Sequence, residues 1–77
     1  MHNLPKLPCN PEGVTQRLRE MIALKGGPVA VASVSGLPVK SINHYAQGEN
    51  LPGALSIACL CRALDVSADW LLFGEVA

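Results

Sequence analysis

The stretch Val31-Ala32-Ser33-Val34-Ser35-Gly36-Leu37-Pro38-Val39-Lys40-Ser41-Ile42 decides the fold. Its first half carries small residues that let another helix approach closely. Pro28, just ahead of it, suits a first helical turn, where the missing N–H would have no intrahelical partner anyway. A short helix from Pro28 to Val34 is predicted. Gly36 then stands where a left-handed cap usually closes a helix, and Leu37-Pro38 turns the chain into a following helix that starts near Pro38 and runs to about Gln47. Two short helices separated by a tight glycine turn are therefore expected in the middle of the chain.

Toward the N-terminus, Gly26-Gly27 marks a stop. Before it, Val14, Leu18, Met21 and Ile22 recur at helical spacing, with Gln16, Arg17, Arg19 and Glu20 on the other sides. This pattern predicts a first helix from Glu12 to Lys25. Residues 1–11 contain Pro5, Pro8 and Pro11 and read as an extended, flexible arm, which leaves residues 12–77 as the folded domain. Toward the C-terminus, Gly48-Glu49-Asn50-Leu51-Pro52 reads as a loop. Ala54, Ile57, Ala58, Leu60, Cys61 and Leu64 then make a buried stripe over Gly53 to Leu64. Asp65-Val66-Ser67 punctuates before Ala68-Asp69-Trp70-Leu71-Leu72-Phe73, with Ser67 as the N-cap of that last helix and Trp70 at its N3 position. The architecture implied is all-α, with five short helices joined by tight loops.

Composition agrees with that architecture. Seventy-seven residues suffice for one domain and not for two. The hydrophobic share is 49%, yet there is one Phe, one Trp and one Tyr, and the dominance of Ala, Leu and Val favours closely packed helices over an aromatic-rich sheet. Cys9, Cys59 and Cys61 are an odd number with no signal-peptide pattern ahead of them, so a reducing, cytoplasmic setting is expected in place of a disulfide framework. No apolar run approaches the roughly 20 residues a membrane helix needs, and a soluble protein is expected. No nucleophile has a neighbouring base, no glycine-rich phosphate loop occurs, and no carboxylates pair at a useful spacing, so neither catalysis nor a cofactor is expected. His44 has only His2 as a fellow, and no Cys or acid sits at a coordinating spacing from it, so no metal site is expected either.

Six Lys plus Arg balance six Asp plus Glu. A net charge of zero argues against nucleic acid, because phosphate neutralisation supplies most non-specific affinity. Position softens the argument: between Lys25 and Gly48 the chain holds one cation, Lys40, the titratable His44, and no acid. Glu12, Glu49, Asp65, Asp69 and Glu75 fall in loops or near helix ends outside that segment, and segregation of charge counts for more than its sum.

The run from Val31 to Ile42 resembles the helix-turn-helix of lambda-repressor-like and Cro-like regulators, in which a glycine turn holds two helices at a steep angle. Gly48 to Pro52, followed by Arg62-Ala63-Leu64-Asp65-Val66-Ser67-Ala68-Asp69-Trp70-Leu71-Leu72-Phe73-Gly74-Glu75, is similar to the closing segment of that family. The resemblance spans about Val14 to Glu75, and Gly26-Gly27 together with the segment from Ala68 to Glu75 resembles phage and prophage repressors in particular. It implies a sequence-specific regulator, a repressor that binds double-stranded DNA at a palindromic operator as a homodimer, with no small-molecule substrate and no membrane partner.

The resemblance also implies roles for individual residues. The second helix of the motif would enter the major groove and offer Val39, Lys40 and His44 to base edges, with Ser41 and Asn43 flanking. Lys40 can donate to guanine O6 or N7, His44 can donate or accept, and Val39 can offer an apolar contact to a thymine methyl. Gln47 and Asn50 match positions that contact phosphate, and the backbone N–H of Val29 would meet a phosphate at a helix N-terminus. Without the flanking motif, the same polar residues would read as an ordinary solvated helix face. Leu55 and Cys59, four apart on the face opposite the core stripe, are candidate dimer contacts together with Leu72 and Phe73.

Two positions depart from the family pattern. Pro28 stands where many relatives have a phosphate-bridging Gln, and Ile22 and Ala46 stand where many pair an Arg with a Glu. Loss of both partners together is tolerable, whereas loss of one leaves a buried charge. Zero net charge, Val39 and Pro28 define the alternative expectation: a protein-interaction module that keeps the scaffold without binding DNA. A further alternative is that the chain is the N-terminal part of a longer repressor.

Overall fold

Asn10 opens the first helix, its Oδ1 accepting a hydrogen bond from the Gly13 N–H at 3.1 Å. Pro11 occupies the first turn and Glu12 adds a carboxylate where the helix dipole favours one. In this computed structural model, which describes residues 10–74, the helices are α1 (Pro11–Leu24), α2 (Pro28–Ser35), α3 (Val39–Gln47), α4 (Ala54–Leu64) and α5 (Ala68–Phe73). The described residues form an all-α, five-helix domain, as the periodicity predicts. Pro11, expected in the arm, is instead the first residue of α1, because Asn10 supplies a cap and Pro11 a preset φ. The arm expectation for residues 1–9, His2 and Cys9 among them, and the closing Glu75 lie outside the described residues.

α1 stops where Gly26 and Gly27 take φ values of 106° and 102°, and Lys25 is its cap residue, not its last helical one. α2 extends one residue beyond the predicted Val34, to Ser35, before Gly36 closes it at φ 77°, ψ 4° in the left-handed region. The Leu37 N–H donates to Ser35 Oγ at 3.2 Å, which fixes the turn, and Pro38 enters α3 in extended conformation. α5 begins as expected, with the Trp70 N–H donating to Ser67 Oγ at 3.0 Å.

Every helix contributes to one core, formed by Val14, Leu18 and Ile22 of α1, Val31 of α2, Ile42 of α3, Leu60 and Leu64 of α4, and Leu71 of α5. Met21, Ile57, Cys61, Trp70 and Leu72 are half-buried around it. The stripe predicted on α4 is corrected at two positions, since Ala54 and Ala58 are exposed. Ala58 lies two residues from Leu60, and about 100° per residue carries it to the far side of the helix. Ala54 begins the helix, beyond the edge of the core.

Two arginines that read as solvent-facing act as ties between helices. Arg17 Nε donates to the Leu71 carbonyl at 2.9 Å and its Nη2 to the Leu72 carbonyl at 3.3 Å. Arg19 Nε donates to the Ala46 carbonyl at 2.8 Å. Each cation from α1 thus satisfies carbonyls in the last turn of another helix, where the dipole also favours positive charge. Gly74 makes room for the first tie: it sits at φ 77°, and a Cβ there would lie 2.9 Å from Arg17 Nη1.

Arg17→Ala should lower stability by about 1–3 kcal/mol, the usual consequence of stranding part-buried carbonyls. The exposed Arg62→Ala should stay within about 0.5 kcal/mol of the parent. Thermal unfolding followed by circular dichroism separates the two, and equal shifts would remove Arg17 from this structural role.

Candidate nucleic-acid interface

α3 owes its orientation to Ile42, which is fully buried, and to Tyr45 and Ala46, which pack against the same core. With that edge held inward, helical spacing places Lys40, Asn43, His44 and Gln47 along the other side, while Val39, three residues before Ile42, lies beside the inward edge at the exposed first turn. Val39 (41% exposed), Lys40 and Gln47 are open to solvent, while Ser41, Asn43 and His44 are half-buried. The far edge of α3 is anchored by Arg19 on the Ala46 carbonyl and by Tyr45 Oη, which donates to Ser56 Oγ at 3.4 Å. α3 therefore displays its polar face from a fixed position.

Neither α2 nor α3 has a side-chain cap at its N-terminus. The first-turn N–H groups of Val29 and Ala30 in α2, and of Val39, Lys40 and Ser41 in α3, lack intrahelical acceptors for reasons of geometry alone. Val29 is 75% exposed, so its side chain does not cover that end of α2. No acidic residue lies on either helix.

His44 has partners that its position in the chain does not announce. Its Nε2 lies 3.4 Å from Glu49 Oε1, and its Nδ1 lies 3.4 Å from Asn50 Nδ2. The cause is the helix end: Gly48 takes φ 77°, the Gly48 N–H donates to the Tyr45 carbonyl at 3.2 Å, and the Glu49 N–H donates to the His44 carbonyl at 3.0 Å. This pair of bonds is the Schellman arrangement, which folds the residue after the glycine back over the one five earlier. Glu49, an acid outside the Lys25–Gly48 segment in sequence, thus adjoins the polar face of α3 in space. Asn50, expected to hold a phosphate, is engaged with His44. The signal that would have found this is the glycine after Gln47, read as a Schellman turn and not only as a stop.

Glu49 and Asn50 also form one wall of an open cleft of about 630 Å³, whose other wall is the first half of α1 with Glu12, Thr15 and Gln16. Among the described residues, no group of three or more His, Cys, Asp or Glu side chains is placed to hold a metal ion, and no helix is long and apolar enough to cross a membrane.

The candidate dimer contacts divide. Leu55 (84% exposed) and Cys59 project from the same face of α4, and Phe73 is 42% exposed at the end of α5. Leu72 is half-buried against the core, because α5 turns it toward the other helices, so it offers little surface for a contact. Burial pushes the Cys61 thiol up from its ordinary value by penalising the thiolate. Cys59 should therefore be alkylated by iodoacetamide before Cys61 at mildly alkaline pH, and denaturation should abolish the difference. Fragment-ion mass spectrometry across Leu60 resolves the two sites; equal native rates would contradict the burial of Cys61.

Comparison of the chain with protein-family models, curated proteins and solved structures found no match.

Proposed function

We infer that the protein is a sequence-specific DNA-binding regulator, a repressor of the phage type that binds a palindromic operator as a dimer. The observation that carries the inference is the short α2, left-handed Gly36 and α3, two helices free of acid, of which α3 presents Val39, Lys40, Asn43, His44 and Gln47. In this reading α3 lies in the major groove. Lys40 reads guanine, Val39 meets a thymine methyl, and the uncapped N-terminus of α2 at Val29 receives a phosphate. The reading assigns no catalytic step and no cofactor, and it places the protein in the cytoplasm. A single head with one cation on its reading helix binds weakly, so dimerisation supplies the missing affinity, with half-sites about 34 Å apart. Leu55 and Cys59 on α4 are the surface assigned to that contact.

One observation favours a second reading. Val29, Val34 and Val39 are exposed at 75%, 69% and 41%, so the acid-free α2–α3 segment also carries exposed apolar side chains. A protein partner would bury these side chains, and the scaffold would then serve as an interaction module without DNA.

Heteronuclear NMR with a duplex of arbitrary sequence separates the readings. DNA binding predicts shifts concentrated at Val29, Val39 to Gln47 and Asn50 at low salt that fade near about 200 mM, as counterion release requires. It also predicts that Lys40→Glu abolishes them. Peaks that do not move at low salt would favour the interaction module. For the dimer, Leu55→Glu should weaken self-association in sedimentation equilibrium while leaving the melting temperature near that of the parent; unchanged association would place the contact elsewhere.

A further inference from the structure

The contacts of His44 bear on how α3 would be used. A carboxylate can only accept, so the proton facing Glu49 belongs to Nε2, and Nδ1 is then the acceptor that the Asn50 amide requires. The neutral Nε2–H imidazole satisfies both contacts, at 3.4 Å each. In the free protein both ring nitrogens therefore face the loop between α3 and α4. A histidine held this way turns from the loop before either nitrogen meets a nucleic acid. Its principal partner also carries a negative charge beside the surface where phosphates would approach.

We propose that Glu49 is a positioning residue that withholds His44 from DNA, so that His44 contacts a duplex only after the loop has released it. The proposal rests on the reading of α3 as the DNA-contacting helix. Its physical content is a competition. The imidazole exchanges an exposed pair with Glu49 for a contact on the duplex, a phosphate oxygen of any sequence included. Glu49 thereby weakens binding to every duplex that His44 touches, arbitrary sequence included. The arrangement is small in energy, since His44 and Glu49 side chains are 34% and 56% exposed. Exposed pairs of this kind change an equilibrium by up to about fivefold.

The test uses the full chain and a fluorescein-labelled duplex of arbitrary sequence, with affinity read by fluorescence anisotropy at low salt. Glu49 is exposed and contributes nothing to the core, so Glu49→Ala should fold like the parent, which circular dichroism verifies. Glu49→Ala should bind the duplex about two- to fivefold more tightly than the parent. The gain should shrink when the same substitution is made in a His44→Ala background, because the effect passes through the imidazole. Lys40→Glu is the control for the underlying reading. If Lys40→Glu weakens binding while Glu49→Ala leaves it unchanged, the positioning role fails and the DNA reading stands. An equal gain in both backgrounds assigns the effect to general charge repulsion and overturns the role of His44. If neither the parent nor Glu49→Ala binds, and Lys40→Glu makes no difference, the DNA reading falls and the proposal with it.

Discussion

The apolar stripe of α1 is the constraint on which the rest of the molecule depends. No helix here is long enough to hold its shape alone in water: the longest has 14 residues and the shortest 6, at or below the length at which isolated helices are marginal. Val14, Leu18 and Ile22 join Val31, Ile42, Leu60, Leu64 and Leu71 in one buried cluster, to which every other helix contributes one or two residues. Burying a Leu or Ile contributes about 1.5–3 kcal/mol. A cap such as Asn10 or Ser67 contributes about 1 kcal/mol. Burial therefore decides whether the helices exist, and the caps decide where they begin.

Once the core is fixed, the placement of α3 follows. Ile42 goes inward, so the polar residues on the opposite side face solvent. Arg17 and Arg19 then hold the ends of α5 and α3 against α1 through backbone carbonyls. Hydrogen bonds from a cation to a carbonyl are indifferent to which side chain the acceptor residue carries. That is why nothing in the residues at 46, 71 and 72 foretells them. They also account for a chain with few cations spending two of them on structure, which leaves Lys40 to supply charge on the exposed face of α3.

Zero net charge takes on a different meaning in three dimensions. Along the chain, cation and acid are segregated around the glycine-turn segment. In space, the Schellman turn at Gly48 returns Glu49 to His44. The polar face thus combines Lys40 at its start with an imidazole–carboxylate–amide cluster at its end, and any partner must be compatible with both.

By itself the sequence determined the helices, their order and nearly all of their ends, because helical periodicity, glycine turns and N-caps are interactions between residues a few positions apart. Gly36, Gly48 and Ser67 act in the structure as their local chemistry requires. The polar face of α3 was legible for the same reason: the spacing of Ile42 against Lys40, Asn43 and His44 is a property of one helix. What the tertiary structure alone decided concerns residues brought together from separate segments. These are the ties of Arg17 and Arg19, the narrower stripe on α4 that leaves Ala54 and Ala58 outside, and the inward turn of Leu72. Each depends on the angle at which one helix meets another, which no local pattern encodes. The engagement of His44 lies between the two, since its partners are only five and six residues away, but a left-handed turn had to fold them back.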